Sequence, residues 1–171
     1  MSTAKGVVIL GSSRSRGNTA LIVNRLQQIT GFEVLDLATK RIDHYDYDHN
    51  YENDDFQELF RTVASQYETI VFATPVYWYA MSGRLKVFFD RITDFLKNEQ
   101  ETALQLRGKK MAVISCSNDE AINEGFEVPF RETAAYLGMN YKGHYHTWLE
   151  HNKIPEAVEM TLKKLDTTIK K

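Results

Sequence analysis

Apolar residues in this chain fall into two alternating patterns. Short continuous runs of Val, Ile, Leu and Phe read as buried strands. Longer segments with apolar residues at i, i+3, i+4 and i+7 read as helices laid over them. The first run, Val7-Val8-Ile9-Leu10, lies between Gly6 and Gly11 and leads to a helix over about 20–30, with Ile22, Leu26 and Ile29 on one face. Residues 32–37 form a second strand. A polar connection rich in Tyr and Asp, residues 40–53, precedes a helix opened by Asp54-Asp55 and carrying Phe56, Leu59, Phe60 and Val63. The third strand, 69–74, is apolar throughout and therefore central, and Pro75 stops it. Ser82 or Gly83 starts a helix with Leu85, Phe88, Phe89, Ile92 and Phe95 or Leu96 inward.

The fourth strand, 111–115, follows Gly108-Lys109-Lys110. After a polar loop a helix begins near Val128, with Pro129 in its first turn, where a missing N–H costs little, and Gly138 as its stop. Residues 139–145 form a fifth, weaker strand. A helix over about 155–170 closes the chain with Val158, Leu162, Leu165 and Ile169 inward. Five strands alternating with five helices predict an α/β fold: a parallel sheet with helices on both faces. No repeat, linker or low-complexity tract interrupts residues 1–171, so a single domain is expected. Right-handed crossovers leave two common strand orders, and both place ligands at the carboxyl ends of the strands, where the order reverses. The loops 12–19, 75–83 and 116–125 should therefore converge.

The first of these loops is Ser12-Ser13-Arg14-Ser15-Arg16-Gly17-Asn18-Thr19. A loop of hydroxyls, Arg and Gly ending at a helix start can turn backbone N–H groups into an anion nest at the positive pole of the helix. A surface turn capped by Asn18 or Thr19 is the plainer alternative. It is not a P-loop, because five residues separate Gly11 from Gly17 and Asn18 stands where that motif needs Lys. The dinucleotide fingerprint G-x-G-x-x-G is absent as well. A phosphate loop without Lys suits a monophosphate better than a triphosphate.

The second loop puts Tyr77, Trp78 and Tyr79 in a row at a strand end, where polar residues are usual. Packing on a neighbouring helix or subunit is one explanation, and a wall for a flat aromatic ligand is the other. A phosphate nest beside an aromatic wall describes a ligand with a phosphate tail and a planar head, which is FMN.

These residues carry a resemblance. The run from Gly11 to Thr19 is similar to the phosphate loop of the flavodoxin-like NAD(P)H-dependent FMN reductase and quinone oxidoreductase family. Pro75-Val76-Tyr77-Trp78-Tyr79-Ala80-Met81-Ser82-Gly83-Arg84-Leu85-Lys86, on to Asp90-Arg91, resembles that family's flavin-ring loop and the helix after it. The resemblance implies a flavodoxin-like three-layer sandwich with strand order 2-1-3-4-5, bound FMN, NADPH or NADH as co-substrate, and a homodimer or higher homo-oligomer. By position, Ser12, Arg14, Ser15, Gly17, Asn18 and Thr19 would hold the phosphate, and Pro75, Val76, Tyr77, Trp78 and Tyr79 the isoalloxazine. Cys116, Ser117 and Asn118 would lie on the other flank, in a loop that lacks the Gly-rich form common among relatives. The reaction implied is hydride transfer from NAD(P)H through flavin N5 to a small acceptor: a quinone, flavin, nitro or azo compound, or metal ion. No catalytic side chain is required, and an N–H from the Trp78–Tyr79 region is the expected participant at N5. A flavodoxin-like electron carrier without NAD(P)H oxidation is the alternative.

Composition narrows the field further. Apolar residues make up 43% of the 171 and charged residues 26%, the proportions of a soluble globular chain. A net charge of −2 gives no reason to expect nucleic acid or an anionic membrane, and also disfavours a carrier that steers by charge. The only N-terminal apolar run is too short for a signal peptide or membrane span. With a single cysteine, Cys116, no intrachain disulfide forms, and a cytoplasmic setting is expected. Cys116 follows a strand end like a phosphatase nucleophile, but Ile122 stands where such a site needs Arg, so an unreactive thiol is expected. The stretch from Asp43 to Glu52 fails as a calcium loop, with Tyr51 where Gly is needed. Its Tyr45, Tyr47 and Tyr51 are candidates to cover the flavin, and no metal is expected. His144, His146 and His151 read as surface or core fillers.

Overall fold

The computed structural model describes residues 5–51 and 54–171; Glu52 and Asn53, which end the Tyr- and Asp-rich connection, lie outside the described residues. Five parallel strands form one sheet in the order β2-β1-β3-β4-β5. They are β1 (Gly6–Leu10), β2 (Glu33–Asp36), β3 (Thr69–Pro75), β4 (Lys110–Ser117) and β5 (Asn140–Trp148). The helices are α1 (Asn18–Thr30), α2 (Phe56–Gln66), α3 (Gly83–Asn98), α4 (Gln100–Leu104), α5 (Val128–Tyr136) and α6 (Glu156–Lys170). Among the described residues, no helix is long and apolar enough to cross a membrane.

Successive residues of a strand face opposite sides of a sheet, so the central strands feed two cores. Val7 and Ile9 join Phe56, Phe60, Leu85, Phe88 and Phe130 under α2, α3 and α5, while Val8 and Leu10 join Ile22, Leu26, Leu162 and Leu165 under α1 and α6. This is the three-layer, flavodoxin-like order implied by the resemblance.

Several boundaries differ from the sequence reading. The short helix α4 was not foreseen, because it is polar and buries only Ala103. Strand β4 runs on through Cys116 and Ser117, and β5 through Trp148, because β4 and β5 stay paired to Ser117↔Trp148 beyond the apolar residues. Short 3-10 turns add Leu37–Thr39 and Glu124–Glu127.

Helix α3 holds two features that fix the site. Its N-cap Ser82 accepts from the Leu85 N–H at 3.1 Å, its own N–H donates to Thr74 Oγ1 at 3.0 Å, and its hydroxyl donates to the Gly11 carbonyl. Gly11 must be glycine for this approach: a Cβ there would sit 2.7 Å from Leu85 Cβ. Further along, Arg91 is wholly buried between Asp54 at 2.6 Å and Asp94 at 2.7 Å, with the Tyr51 ring 3.5 Å from its guanidinium carbon. Burial opposes ionisation of Asp54, yet the Arg91 guanidinium holds its carboxyl below the ordinary value. This ion cluster pins the 43–51 connection to α3 across 37 residues of sequence.

Candidate functional site

The loops after β1, β3 and β4 converge on a cavity of about 220 Å³. The first contributes Ser12, Arg14, Gly17, Asn18 and Thr19, the second Pro75, Val76 and Tyr77, and the third Cys116, Ser117 and Asn118. Ser15, Trp78 and Tyr79, also singled out from sequence, do not line this cavity.

The helix cap differs from the expected one. Gly17, not Asn18 or Thr19, is the N-cap of α1, and no side chain caps that end. Asn18, Thr19 and Ala20 therefore present backbone N–H groups that meet no acceptor among the described residues. Arg14 folds back beside Gly17: a Cβ there would lie 3.4 Å from Arg14 Cβ and 3.5 Å from its Nε, both ordinary contacts. Three donors without a described acceptor at the positive end of a thirteen-residue helix, with an arginine beside them, are an arrangement that suits an anion. Thr19 is buried, and the nearby Cys116 thiol donates to the Ser117 carbonyl at 3.9 Å. Burial pushes that thiol above its ordinary pKa, which keeps it protonated and unreactive.

The three aromatics do not form the flat wall expected. Tyr77 and Ala80 exchange backbone hydrogen bonds of 3.0 and 3.1 Å, closing a two-residue hairpin turn over Trp78 and Tyr79. Both turn residues have positive φ, 49° and 64°, as a type I′ turn requires. Bulky aromatics seldom adopt this conformation, and such strain concentrates at functional sites. Trp78 is 93% exposed and Tyr79 72%, so their rings stand clear of the protein. The Val76 N–H is taken by the Cys116 carbonyl at 2.9 Å, whereas those of Trp78 and Tyr79 have no acceptor among the described residues.

The third loop is braced by histidines that sequence reading treated as fillers. His146 Nε2 lies 3.0 Å from the Asp119 carbonyl and 3.2 Å from Ser117 Oγ, and its Nδ1 lies 2.7 Å from Ser115 Oγ. A carbonyl only accepts, so His146 carries its proton on Nε2 and takes the Ser115 O–H at Nδ1. Ser115 in turn accepts from His144 Nε2 at 2.6 Å. Burial, and secondarily His146, push the His144 imidazole down to about 4. Register creates the cluster, because β4 sets Ser115 opposite His146. No spacing within either strand announces it.

The tyrosines of the 43–51 connection do not reach the cavity. Tyr51 is committed to Arg91 and shares its hydroxyl between Asp46 and Asp94, while Tyr45 accepts from Lys97 at 2.8 Å.

The three loops meet at the switch point of a 2-1-3-4-5 sheet, the place where open α/β sheets of flavodoxin-like order take their ligands. The family model for NADPH-dependent FMN reductases matches residues 4–153, and the chain belongs to that family. It is accordingly an FMN-dependent oxidoreductase that draws on NAD(P)H. A relative in Bacillus subtilis strain 168, YwqN, named as an NAD(P)H-dependent FMN-containing oxidoreductase, is 28% identical, with 82% of each chain covered. Among solved structures, the Trp repressor binding protein of Bacillus subtilis superposes with a TM-score of 0.70 at 25% identity, covering 96% of both chains. The FMN-dependent NADH-azoreductase of Bacillus anthracis, solved with FMN, also gives 0.70, at 14% identity over 96% of this chain and 97% of its own. That last likeness is one of fold.

Proposed function

We propose that the protein, acting as one flavodoxin-like FMN-binding unit in a cytoplasmic homo-oligomer, passes electrons from NAD(P)H to a small acceptor that takes turns with the nucleotide in one cavity. The observation that carries this reading is the meeting of the uncapped α1 N-terminus with Tyr77, the first residue of the 77–80 hairpin, in a single cavity. The residues fit FMN. Its phosphate matches the free N–H groups of Asn18, Thr19 and Ala20, with the Ser12 and Thr19 hydroxyls and the Arg14 guanidinium around them. Backbone N–H groups of Trp78 and Tyr79 are the donors left for the heteroatoms of the ring.

Bound FMN supplies two-electron hydride chemistry at N5, and the chain orients it. Tyr77 walls one side. Ser117 and Asn118 form the other and carry no ring, which leaves a flavin face for a flat reactant. His146 keeps that flank in place through Ser117 and Asp119. The exposed Trp78 and Tyr79 rings are large enough to line a neighbouring subunit's contact or to stack an aromatic acceptor. Anaerobic mixing of the FMN-loaded protein with NADPH or NADH tests the function. Bleaching of the flavin absorbance is the expected result. If neither nucleotide bleaches it while a separate reductase protein does, the chain is a carrier.

A further inference from the structure

A second cavity, of about 280 Å³, opens on the far side of Ser13 from the first. Its polar lining is Ser13, His44 and Arg84, and its apolar lining is Leu37, Ile42 and Val87. Resting on the reading of this protein as an NAD(P)H oxidoreductase, we propose that this cavity holds a phosphate of the dinucleotide co-substrate, with Arg84 as its cation.

Two arginines on α3 make the argument by contrast. Arg91 is buried and flanked by two carboxylates within 2.7 Å. Arg84 is half-buried, and no carboxylate lies within ion-pair distance among the described residues. Its Nη1 donates to the Leu37 carbonyl at 3.0 Å, its Nε is buried without a partner, and its Nη2 bonds no described residue. A carbonyl fixes the direction of a guanidinium but leaves its charge uncompensated, and partial withdrawal from water raises that cost. What the site lacks is an anion. A planar fork held from one side suits phosphate, which accepts two parallel N–H bonds.

The remaining walls say what the anion is attached to. A bare phosphate does not need Leu37, Ile42 and Val87 beneath it. It shares His44 with a wider cavity lined by Tyr45, Tyr47, Asp90, Thr93 and Lys97, in which the two tyrosine rings meet edge to face at 5.1 Å. Tyr47 is 80% exposed, with the Lys97 ammonium 5.2 Å from its ring centroid, and its outer face is open to a purine. At its other end the cavity shares the phosphate loop with the flavin site, because Ser12 and Arg14 line one and Ser13 the other. A ligand with phosphates between two flat rings spans this trench. The phosphate meeting Arg84 is either the 2′-phosphate of NADPH or the bridging diphosphate common to NADPH and NADH.

Calorimetric titration of the FMN-loaded protein with adenosine 2′,5′-bisphosphate and with ADP separates the two. Arg84→Ala should weaken binding by about tenfold to a hundredfold, the range of one charge-assisted hydrogen bond. Arg84→Lys, which keeps the charge but not the fork, should restore part of it. Loss for the bisphosphate alone assigns the 2′-phosphate, and loss for both assigns the diphosphate. Retained FMN absorbance shows that each variant is folded. Unchanged affinities in Arg84→Ala, or a wild-type protein that binds neither nucleotide, overturn the proposal. Bleaching of the wild-type protein by reduced nicotinamide mononucleotide, which lacks the adenylate, reads the oxidoreductase function separately. Its failure would remove that function whatever the adenylates do.

Discussion

Acidification should weaken the fold through His144. Its imidazole is stacked on Phe126 at 5.0 Å, donates to Ser115, and is pushed from 6.5 down to about 4. As pH falls, the unfolded chain takes up a proton near 6.5, whereas the folded chain stays neutral there until about 4. The contribution is therefore complete above pH 6.5 and is lost progressively between 6.5 and 4. At about 1.4 kcal/mol per pH unit the loss amounts to about 3 kcal/mol. For a chain of this size that lowers the melting temperature by about 6–12 °C. Carboxylates also titrate in this range, so the measurement is a comparison. His144→Gln keeps a donor to Ser115 and has no proton to gain. Urea unfolding of both proteins at pH 7, 6, 5 and 4.5 should show curves that converge as the wild type loses its advantage. Parallel curves, or an NMR titration placing the His144 ring near 6.5, would refute the reasoning.

Other perturbations follow from the same contacts. Arg91→Ala takes the guanidinium from buried Asp54 and Asp94, leaving Asp94 only His49 at 3.3 Å and the Tyr51 hydroxyl, and should cost about 3–5 kcal/mol, read as a lower urea midpoint. Exchange protection in the 43–51 connection should fall with it. Thr19→Val removes a buried hydroxyl from the nest and should weaken FMN by about tenfold to a hundredfold in a fluorescence titration, with Asn18→Ala weakening it less. Unchanged affinity in both would mean the phosphate lies elsewhere. Cys116→Ser should retain most of the turnover, since the thiol is buried and protonated. A loss near a thousandfold with FMN still bound would reveal a thiol step.

What the sequence made legible was whatever repeats along one element. Continuous apolar runs marked β1, β3 and β4, which are buried on both faces, while β2 and β5 left a weaker trace, and the 3.6-residue stripes marked five of the six helices. The loops at the strand ends followed from topology. Contacts between elements were not legible. Ser115 meets His144 and His146 through strand register, and Arg91 meets Asp54 through a crossover of 37 residues. The bare end of α1 is hidden because Asn18 and Thr19 are good caps, one and two positions too late; Gly17 holds the extended conformation of the cap itself. The Trp78-Tyr79 turn is hidden for a different reason. Its left-handed backbone contradicts the preference of both residues, and no propensity argument selects it.

The claim at the centre of this account is that one cavity takes FMN phosphate-first onto the bare N-terminus of α1. A crystal structure of the protein with FMN tests it most directly. The phosphate should accept from the Asn18, Thr19 and Ala20 N–H groups, with the ring between the 77–80 hairpin and Ser117-Asn118 and a Trp78 or Tyr79 N–H at its edge. A phosphate bound away from those three N–H groups, or a ring lying outside the hairpin, would contradict it.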